Sequence, residues 1–220
     1  MILKNGLFIT GEGIEAGGKS TVLEKVASRL EEIGVPYIRT REPGGTRIAE
    51  QLRAIVLDPN NDIHLNTEIM LYACSRSEHI HSLVLPALKE GKVVICDRYI
   101  DSSIAYQGYG AGHSEEVIRK IKAVSEFATN NLLPDRTYLF DIPLEESFKR
   151  MGLRSLETQT DLDRIEQRAR EYHQRVYDGY HHIAKQEPNR VVVIDGTQSR
   201  KKVFESVWND LEVFLYKNSQ

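Results

Sequence analysis

Gly13, Gly18, Lys19 and Ser20 lie in the stretch GEGIEAGGKST (11–21), directly after the apolar run LFIT (7–10). A glycine, four residues and then Gly-Lys-Ser is the spacing of a phosphate loop. Such a turn between a strand and a helix gathers backbone N–H groups and the positive end of a helix dipole around one anionic site. On this reading Gly13, Ile14, Glu15, Ala16, Gly17, Gly18, Lys19, Ser20 and Thr21 bind a nucleoside triphosphate. Lys19 supplies a charge to the β/γ-phosphates and Ser20 a hydroxyl to Mg²⁺. GTPases, motor ATPases and small-molecule kinases share this loop, so the acceptor of the phosphate must be read elsewhere.

No Asn-Lys-x-Asp guanine-reading motif is present. In VVICDRY (93–99), Asp97 ends an apolar run and can hold Mg²⁺ through its waters, while Arg98 enters the crevice where open parallel sheets bind ligands and can grip a second phosphate. In TREPGGT (40–46), Arg41 precedes a Pro-Gly-Gly turn that lets backbone approach a ligand, which makes a second anion-binding wall. Tyr72 and Arg76 are four apart and share a helix face, and a ring beside a guanidinium suits a planar base with a carbonyl at its edge. The stretch DSSIAYQGYGAG (101–112) reads as a glycine-ended loop in which Ser102, Ser103, Tyr106 and Gln107 can bond and stack on a nucleobase. Arginines crowd between 150 and 175 (Arg150, Arg154, Arg164, Arg168, Arg170, Arg175) among acidic residues. Most of these form helix-surface ion pairs on this reading, and one or two act on phosphate.

These groups need a frame. Apolar runs at 7–10, 35–40, 93–97, 137–141 and 191–195, each separated by a segment long enough for a helix, give the βαβ rhythm of a parallel sheet. Val22, Leu23, Val26, Ala27, Leu30 and Ile33 recur at helical spacing before Gly34, so the first helix starts on the phosphate loop. A second helical stretch runs from about Thr67 to Glu90, with Pro86 expected to kink or interrupt it. Ser114 with Glu115 and Glu116 resembles an N-cap. The proline-free interval 151–164 reads as an irregular excursion.

The 220 residues suit a single α/β domain over 1–220. A net charge of −3 shows no basic bias and disfavours non-specific nucleic-acid binding. No apolar segment approaches the roughly 20 residues of a membrane span, and the N-terminal MILKNGLFIT lacks the features of a signal peptide, so a cytoplasmic protein is expected. Cys74 and Cys96 fit neither a disulfide framework nor a zinc pattern, and both are expected to be buried thiols.

The stretches FITGEGIEAGGKST (8–21), TREPGGT (40–46), Tyr72 with Arg76, VICDRYIDSSIAYQG (94–108), LDRIEQ (162–167) and VIDGTQ (193–198) occur in the order and spacing of the thymidylate kinases, and the chain resembles that family over nearly its whole length. The resemblance implies a phosphate-loop NTPase of the nucleoside monophosphate kinase type, with a five-stranded parallel sheet flanked by helices and a lid at about 150–162. It implies transfer of the γ-phosphate of ATP to dTMP, giving dTDP for dTTP synthesis, with Mg²⁺ and usually a homodimer. Carried over by position, Lys19 and Ser20 hold ATP and Mg²⁺, Asp97 organises the metal, and Glu15 lies near the acceptor sugar. Arg41 and Arg98 bind the acceptor phosphate, Arg76 bonds the thymine carbonyl, Tyr72 stacks on the ring, and Ser102, Ser103, Tyr106 and Gln107 complete the pocket. The phosphate loop carries no arginine, which implies a catalytic arginine in the lid: Arg154 first, Arg150 second. Tyr177 stands where many members carry a basic residue. Two readings stay open beside this one: a kinase for another monophosphate such as dUMP or a cytidylate, and a regulatory protein that binds nucleotide without turnover.

Overall fold

The computed structural model describes residues 5–158 and 162–218. Five parallel strands, β1 (Leu7–Glu12), β2 (Tyr37–Arg41), β3 (Val93–Asp97), β4 (Arg136–Asp141) and β5 (Val191–Asp195), form one sheet in the order β2-β3-β1-β4-β5. Each apolar run expected to be a strand is one, with ends shifted by two residues at most. The register sets Gly11 beside Asp97 and Asp97 beside Arg41, so three chain segments that carry site residues leave the sheet along one carboxyl edge.

Nine α-helices are found among the described residues. On one face of the sheet, α1 (Lys19–Glu32) and α9 (Arg200–Asn218) cover Leu7, Ile9, Tyr138 and Phe140 with Val22, Leu23, Val26, Leu30, Val207, Leu211 and Leu215. Val22, Leu23, Val26, Ala27 and Leu30 are all buried, as their spacing predicts, and α1 stops where Gly34 takes φ +68°. On the other face, Phe8, Val94, Cys96 and Leu139 meet side chains from residues 80–106, from α6 (Glu115–Thr129) and from α8 (Arg170–Gln186). α2 (Arg47–Leu57) starts at Thr46, whose hydroxyl accepts from the Ala49 N–H at 3.2 Å.

Several expectations are corrected. The helix over 67–90 divides into α3 (Leu65–His79), a wider π-turn at Ile80–Val84 and α4 (Leu85–Lys89). Pro86 sits in the first turn of α4, and the interruption expected there takes the form of the wider bonding just ahead of it. The stretch 101–112 is not a loop: α5 (Ile100–Ser103) continues into a π-helical run at Ile104–Gly110. Gly110 serves close packing, since a Cβ there would lie 2.6 Å from Val176 Cγ2 and 2.9 Å from Tyr172 Cε2 on α8, while Gly112 takes φ +73° in the turn that follows. The excursion at 151–164 is helical through Thr158, the end of α7 (Leu144–Thr158). Residues 159–161 of the expected lid lie outside the described residues. Ser114 does precede α6, but its side chain makes no capping bond; its carbonyl accepts from the Ile118 N–H at 3.1 Å. Cys96 is buried, whereas Cys74 on α3 is exposed. No helix among the described residues is long and apolar enough to cross a membrane.

Candidate active site

The phosphate loop turns between β1 and α1. Gly13 takes φ +130°, and a Cβ there would lie 2.5 Å from the Phe140 carbonyl oxygen, so only glycine lets the loop close onto β4. Gly18 is left-handed at the N-terminus of α1. The Lys19 Nζ donates to the carbonyls of Gly13 (3.0 Å) and Ile14 (2.8 Å), which folds the ammonium over the loop it serves. Burial, and next the nearby Arg98 charge, lower the Lys19 ammonium to about 8. Ser20 Oγ donates to Asp97 Oδ2 at 2.6 Å, bringing together a hydroxyl and a carboxylate, two hard oxygen donors of the kind Mg²⁺ takes.

Arg98 follows β3 with φ +72°, held by its N–H bond to the Gly11 carbonyl at 2.9 Å. Its guanidinium donates to the Gly13 carbonyl (3.0 Å), the Tyr180 hydroxyl (3.1 Å), Ser102 Oγ (3.3 Å) and Glu15 Oε1 (3.2 Å), and lies 4.9 Å from the Tyr106 ring centroid. Glu15 Oε1 also accepts from the Tyr106 hydroxyl at 2.5 Å, and His173 Nδ1 lies 3.7 Å from Glu15 Oε2. Burial opposes ionisation of Glu15, but the His173 imidazole, the Arg98 charge and the Tyr106 bond outweigh it and hold the carboxyl at about 2. Behind Arg98, the buried Glu12 accepts from the Tyr99 N–H, Ser102 and Tyr180, and burial, then Asp101, carries its carboxyl up to about 7.

The second wall is built on β2 and α3. Arg41, just over half exposed, faces Glu50 at 3.1 Å. Arg76 is 2% exposed and its fork is fully set: Nε to Glu42 Oε2 (2.7 Å), Nη1 to Ser125 Oγ (3.3 Å), Nη2 to the Tyr99 carbonyl and to Ser103 Oγ (both 3.0 Å). His79 Nδ1 bonds Glu42 Oε1 at 2.9 Å, and His79 Nε2 lies 2.7 Å from the Thr40 hydroxyl oxygen. Burial would raise Glu42; the Arg76 charge and the His79 bond hold it below the ordinary carboxylate value. Gln107 Nε2 donates to Glu68 Oε1 at 2.8 Å, and the other oxygen of this fully buried carboxylate takes Arg164 (2.7 Å) and Arg168 (2.9 Å).

These residues line one cleft of about 830 Å³, which brings together Glu15, Ala16, Gly17, Gly18, Lys19, Ser20, Thr21, Arg41, Tyr72, Arg76, Asp97, Arg98, Ser102, Ser103, Tyr106, Gln107, Arg150 and Arg154. Gly13 and Ile14 shape the loop from behind it. Arg150 and Arg154, one turn apart on α7, share the wall near the loop: Arg150 pairs with Glu146 at 2.8 Å and reaches the Ala16 carbonyl at 3.5 Å, and Arg154 pairs with Glu166. Of the other arginines in that run, only Arg170, paired with Glu145, is the expected surface ion pair; Arg164 and Arg168 instead hold the buried Glu68, and Arg175 donates to the Gly110 carbonyl at 2.9 Å. Tyr177 is outside the cleft, its ring centroid 4.5 Å from that of His181, which pairs with Asp141 at 3.2 Å. Tyr177 is thus not among the residues that line the cleft.

Sequence reasoning missed Glu12, Glu42, Glu68, His79 and Tyr180, whose partners are distant in the chain. It also missed Arg53, a cleft residue whose Nη1 donates to the Pro43 carbonyl at 2.9 Å. The signal for Arg53 was present: it lies two helical turns after the Thr46 cap, on the helix that leaves the Pro-Gly-Gly turn.

A phosphate loop facing a second arginine-bearing wall across the carboxyl edge of a 2-3-1-4-5 parallel sheet defines the nucleoside monophosphate kinase class of phosphate-loop enzymes. Comparison with known proteins narrows the class. The thymidylate kinase family model matches residues 12–207. A thymidylate kinase of Exiguobacterium sibiricum is 45% identical over 216 residues, 98% of each chain, and one of Symbiobacterium thermophilum is 44% identical over 210 residues, 95% of this chain and 94% of that one. The crystal structure of thymidylate kinase from Ehrlichia chaffeensis superposes with a TM-score of 0.74 at 32% identity, covering 94% of this chain and 98% of the other. The chain belongs to the thymidylate kinase family.

Proposed function

We propose that the chain moves the γ-phosphoryl group of ATP to the 5′-phosphate of dTMP, giving dTDP and ADP, phosphorylation of dTMP being the activity of the family to which it belongs. The observation that carries the reading is the single cleft in which the Lys19–Ser20 loop and the Asp97–Arg98 turn share walls with Arg76 and Tyr72. The attacking oxygen belongs to a phosphate already ionised near neutral pH, so no side chain need remove a proton; the work left is alignment and neutralisation of charge. Lys19 and the loop N–H groups would take the β/γ-phosphates. Arg98, with Arg41 across the cleft, would hold the acceptor phosphate in line.

Ser20 and Asp97 would hold Mg²⁺, which when bound neutralises charge on the phosphate oxygens. Arg76 and Tyr72 would read the thymine, with Ser102, Ser103, Tyr106 and Gln107 closing the base and sugar pocket and Glu15 near the sugar. Arg154, on a lid at about 150–162, is the candidate for the charge that develops during transfer, with Arg150 second. We also assign a homodimer and a cytoplasmic location. Exposed apolar side chains on α2 (Ile48, Ile55), α3 (Met70) and α6 (Phe127, 87% exposed) support self-association, because α3 packs against both other helices.

Phosphorus NMR of the protein with ATP, Mg²⁺ and dTMP tests the reaction. Appearance of dTDP and ADP in equal amounts is expected; ADP with inorganic phosphate and no dTDP contradicts it.

A further inference from the structure

We propose that Glu12 is a positioning residue of the acceptor site: it fixes the hydroxyl hydrogens of Ser102 and Tyr180 so that both oxygens present lone pairs to Arg98. The inference rests on the reading of Arg98 as an acceptor-phosphate ligand.

Glu12 ends β1 one residue before the phosphate loop and has no exposed surface. Nothing in the transfer reaction needs a buried acid there, since no proton has to be removed from a phosphate nucleophile. Its bonds state what it does instead. Oε1 accepts from the Tyr99 N–H at 2.6 Å, and Oε2 accepts from Ser102 Oγ at 2.6 Å and from the Tyr180 hydroxyl at 2.8 Å. The carboxylate thus ties the residue after Arg98, the short helix α5 and the long helix α8 to the base of the loop.

Each hydroxyl has one hydrogen and two lone pairs, and a carboxylate only accepts. The two hydroxyl hydrogens are taken up within the triangle of Glu12 Oε2, Ser102 Oγ and the Tyr180 hydroxyl, the last two being 2.8 Å apart, so both oxygens turn lone pairs to Arg98 Nη1 at 3.3 Å and 3.1 Å. The Gly13 carbonyl, 3.0 Å away, takes the second hydrogen of the same nitrogen. Arg98 is thereby held edge-on by three oxygens while Glu15 engages Nη2, a guanidinium whose geometry is set before ligand arrives. An amide in place of the carboxylate reverses the hydrogen count. Its NH₂ group must face either the Tyr99 N–H or the two hydroxyls, and in the second case a hydroxyl hydrogen is turned toward Arg98.

Steady-state kinetics at pH 8, above the value of about 7 to which burial carries the Glu12 carboxyl, test the inference with four variants. Glu12→Gln is expected to raise the dTMP KM about tenfold with the ATP KM within about twofold of wild type. In a Ser102→Ala/Tyr180→Phe background the same change should have less than about a twofold effect, because the groups through which Glu12 acts are gone. Should Glu12→Gln fail to fold, Tyr180→Phe alone, which keeps the ring and removes one acceptor, is expected to raise the dTMP KM about threefold with the ATP KM unchanged. Equal changes in both KM values, no change in either, or a tenfold effect that persists without the hydroxyls overturns the inference. Wild-type turnover of dTMP in the same assay keeps the two readings apart: its absence removes the acceptor-site reading and this inference with it, while wild-type turnover with unaltered variants removes this inference alone.

Discussion

Arg76 Nε donates to Glu42 Oε2 across 2.7 Å with both side chains almost wholly buried, 2% and 3% exposed, and His79 binds the other oxygen of the same carboxylate. This pair, with the Tyr99 carbonyl and Ser103, sets the plane of the Arg76 guanidinium, which the proposed reading of the base requires. Glu42→Gln removes the charge and presents an N–H either to Arg76 or to His79. Thermal or denaturant unfolding should show a loss of about 3 kcal/mol, as for a buried pair broken on one side. In the folded fraction, the dTMP KM should rise about tenfold while the ATP KM holds.

Glu68 makes a comparable link with a different readout. Its one buried carboxylate takes Arg164, Arg168 and Gln107, and so joins the LDRIEQ segment to the acceptor pocket. Glu68→Ala leaves two arginines facing each other without a counter-charge. The expected result is destabilisation of at least about 3 kcal/mol by denaturant titration, and a charge-removing second change, Arg168→Ala, should recover part of it.

Lys19 supplies a pH dependence. Its ammonium is lowered to about 8 by burial and Arg98, so above pH 8 the free protein loses the charge that ATP phosphates favour. The unfolded chain holds that proton to higher pH, so folding stability rises, rather than falls, with pH between about 8 and the ordinary lysine value. ATP affinity moves the opposite way. Calorimetric titration should show the ATP dissociation constant rising above pH 8 by up to about tenfold per pH unit. A constant that stays flat to pH 10 contradicts the assignment.

The two cleft arginines of α7 separate by kinetics. If Arg154 neutralises charge only during transfer, Arg154→Ala lowers kcat by about a thousandfold with the dTMP KM little changed. Arg150, already bonded to Glu146 and within 3.5 Å of the Ala16 carbonyl, should on replacement affect the ATP KM more than kcat. The reverse pattern moves the role one helical turn toward the N-terminus.

Much of this cleft could be read from the chain because its parts are local. The phosphate loop, the Asp97–Arg98 turn and the Tyr72/Arg76 pair each depend on spacing within a few residues, and the five strands follow from short apolar runs. The acids that position those groups were not legible. Glu12 meets Tyr99 across 87 residues of chain and Tyr180 across 168, and no spacing rule links such partners. The segment 101–112 was misread for another reason: its glycines look like turn residues, yet Gly110 packs so close to Val176 and Tyr172 on α8 that a Cβ would not fit, and Gly108 lies tightly against Ile118 on α6. The lid excursion was misread because polar, proline-free sequence is equally the composition of an exposed helix, and residues 152–157 are a mostly exposed part of α7.

The cleft lined by Arg76, Tyr72 and Arg98 is proposed to take dTMP as acceptor. A coupled assay of ADP release with ATP and Mg²⁺ against dTMP, dUMP, UMP, CMP, AMP and GMP tests it most directly. The predicted result is strong turnover with dTMP and kcat/KM for the ribonucleotides lower by about a thousandfold or more. Turnover that favours CMP, AMP or GMP, or binding of ATP with no acceptor turned over, would contradict the account.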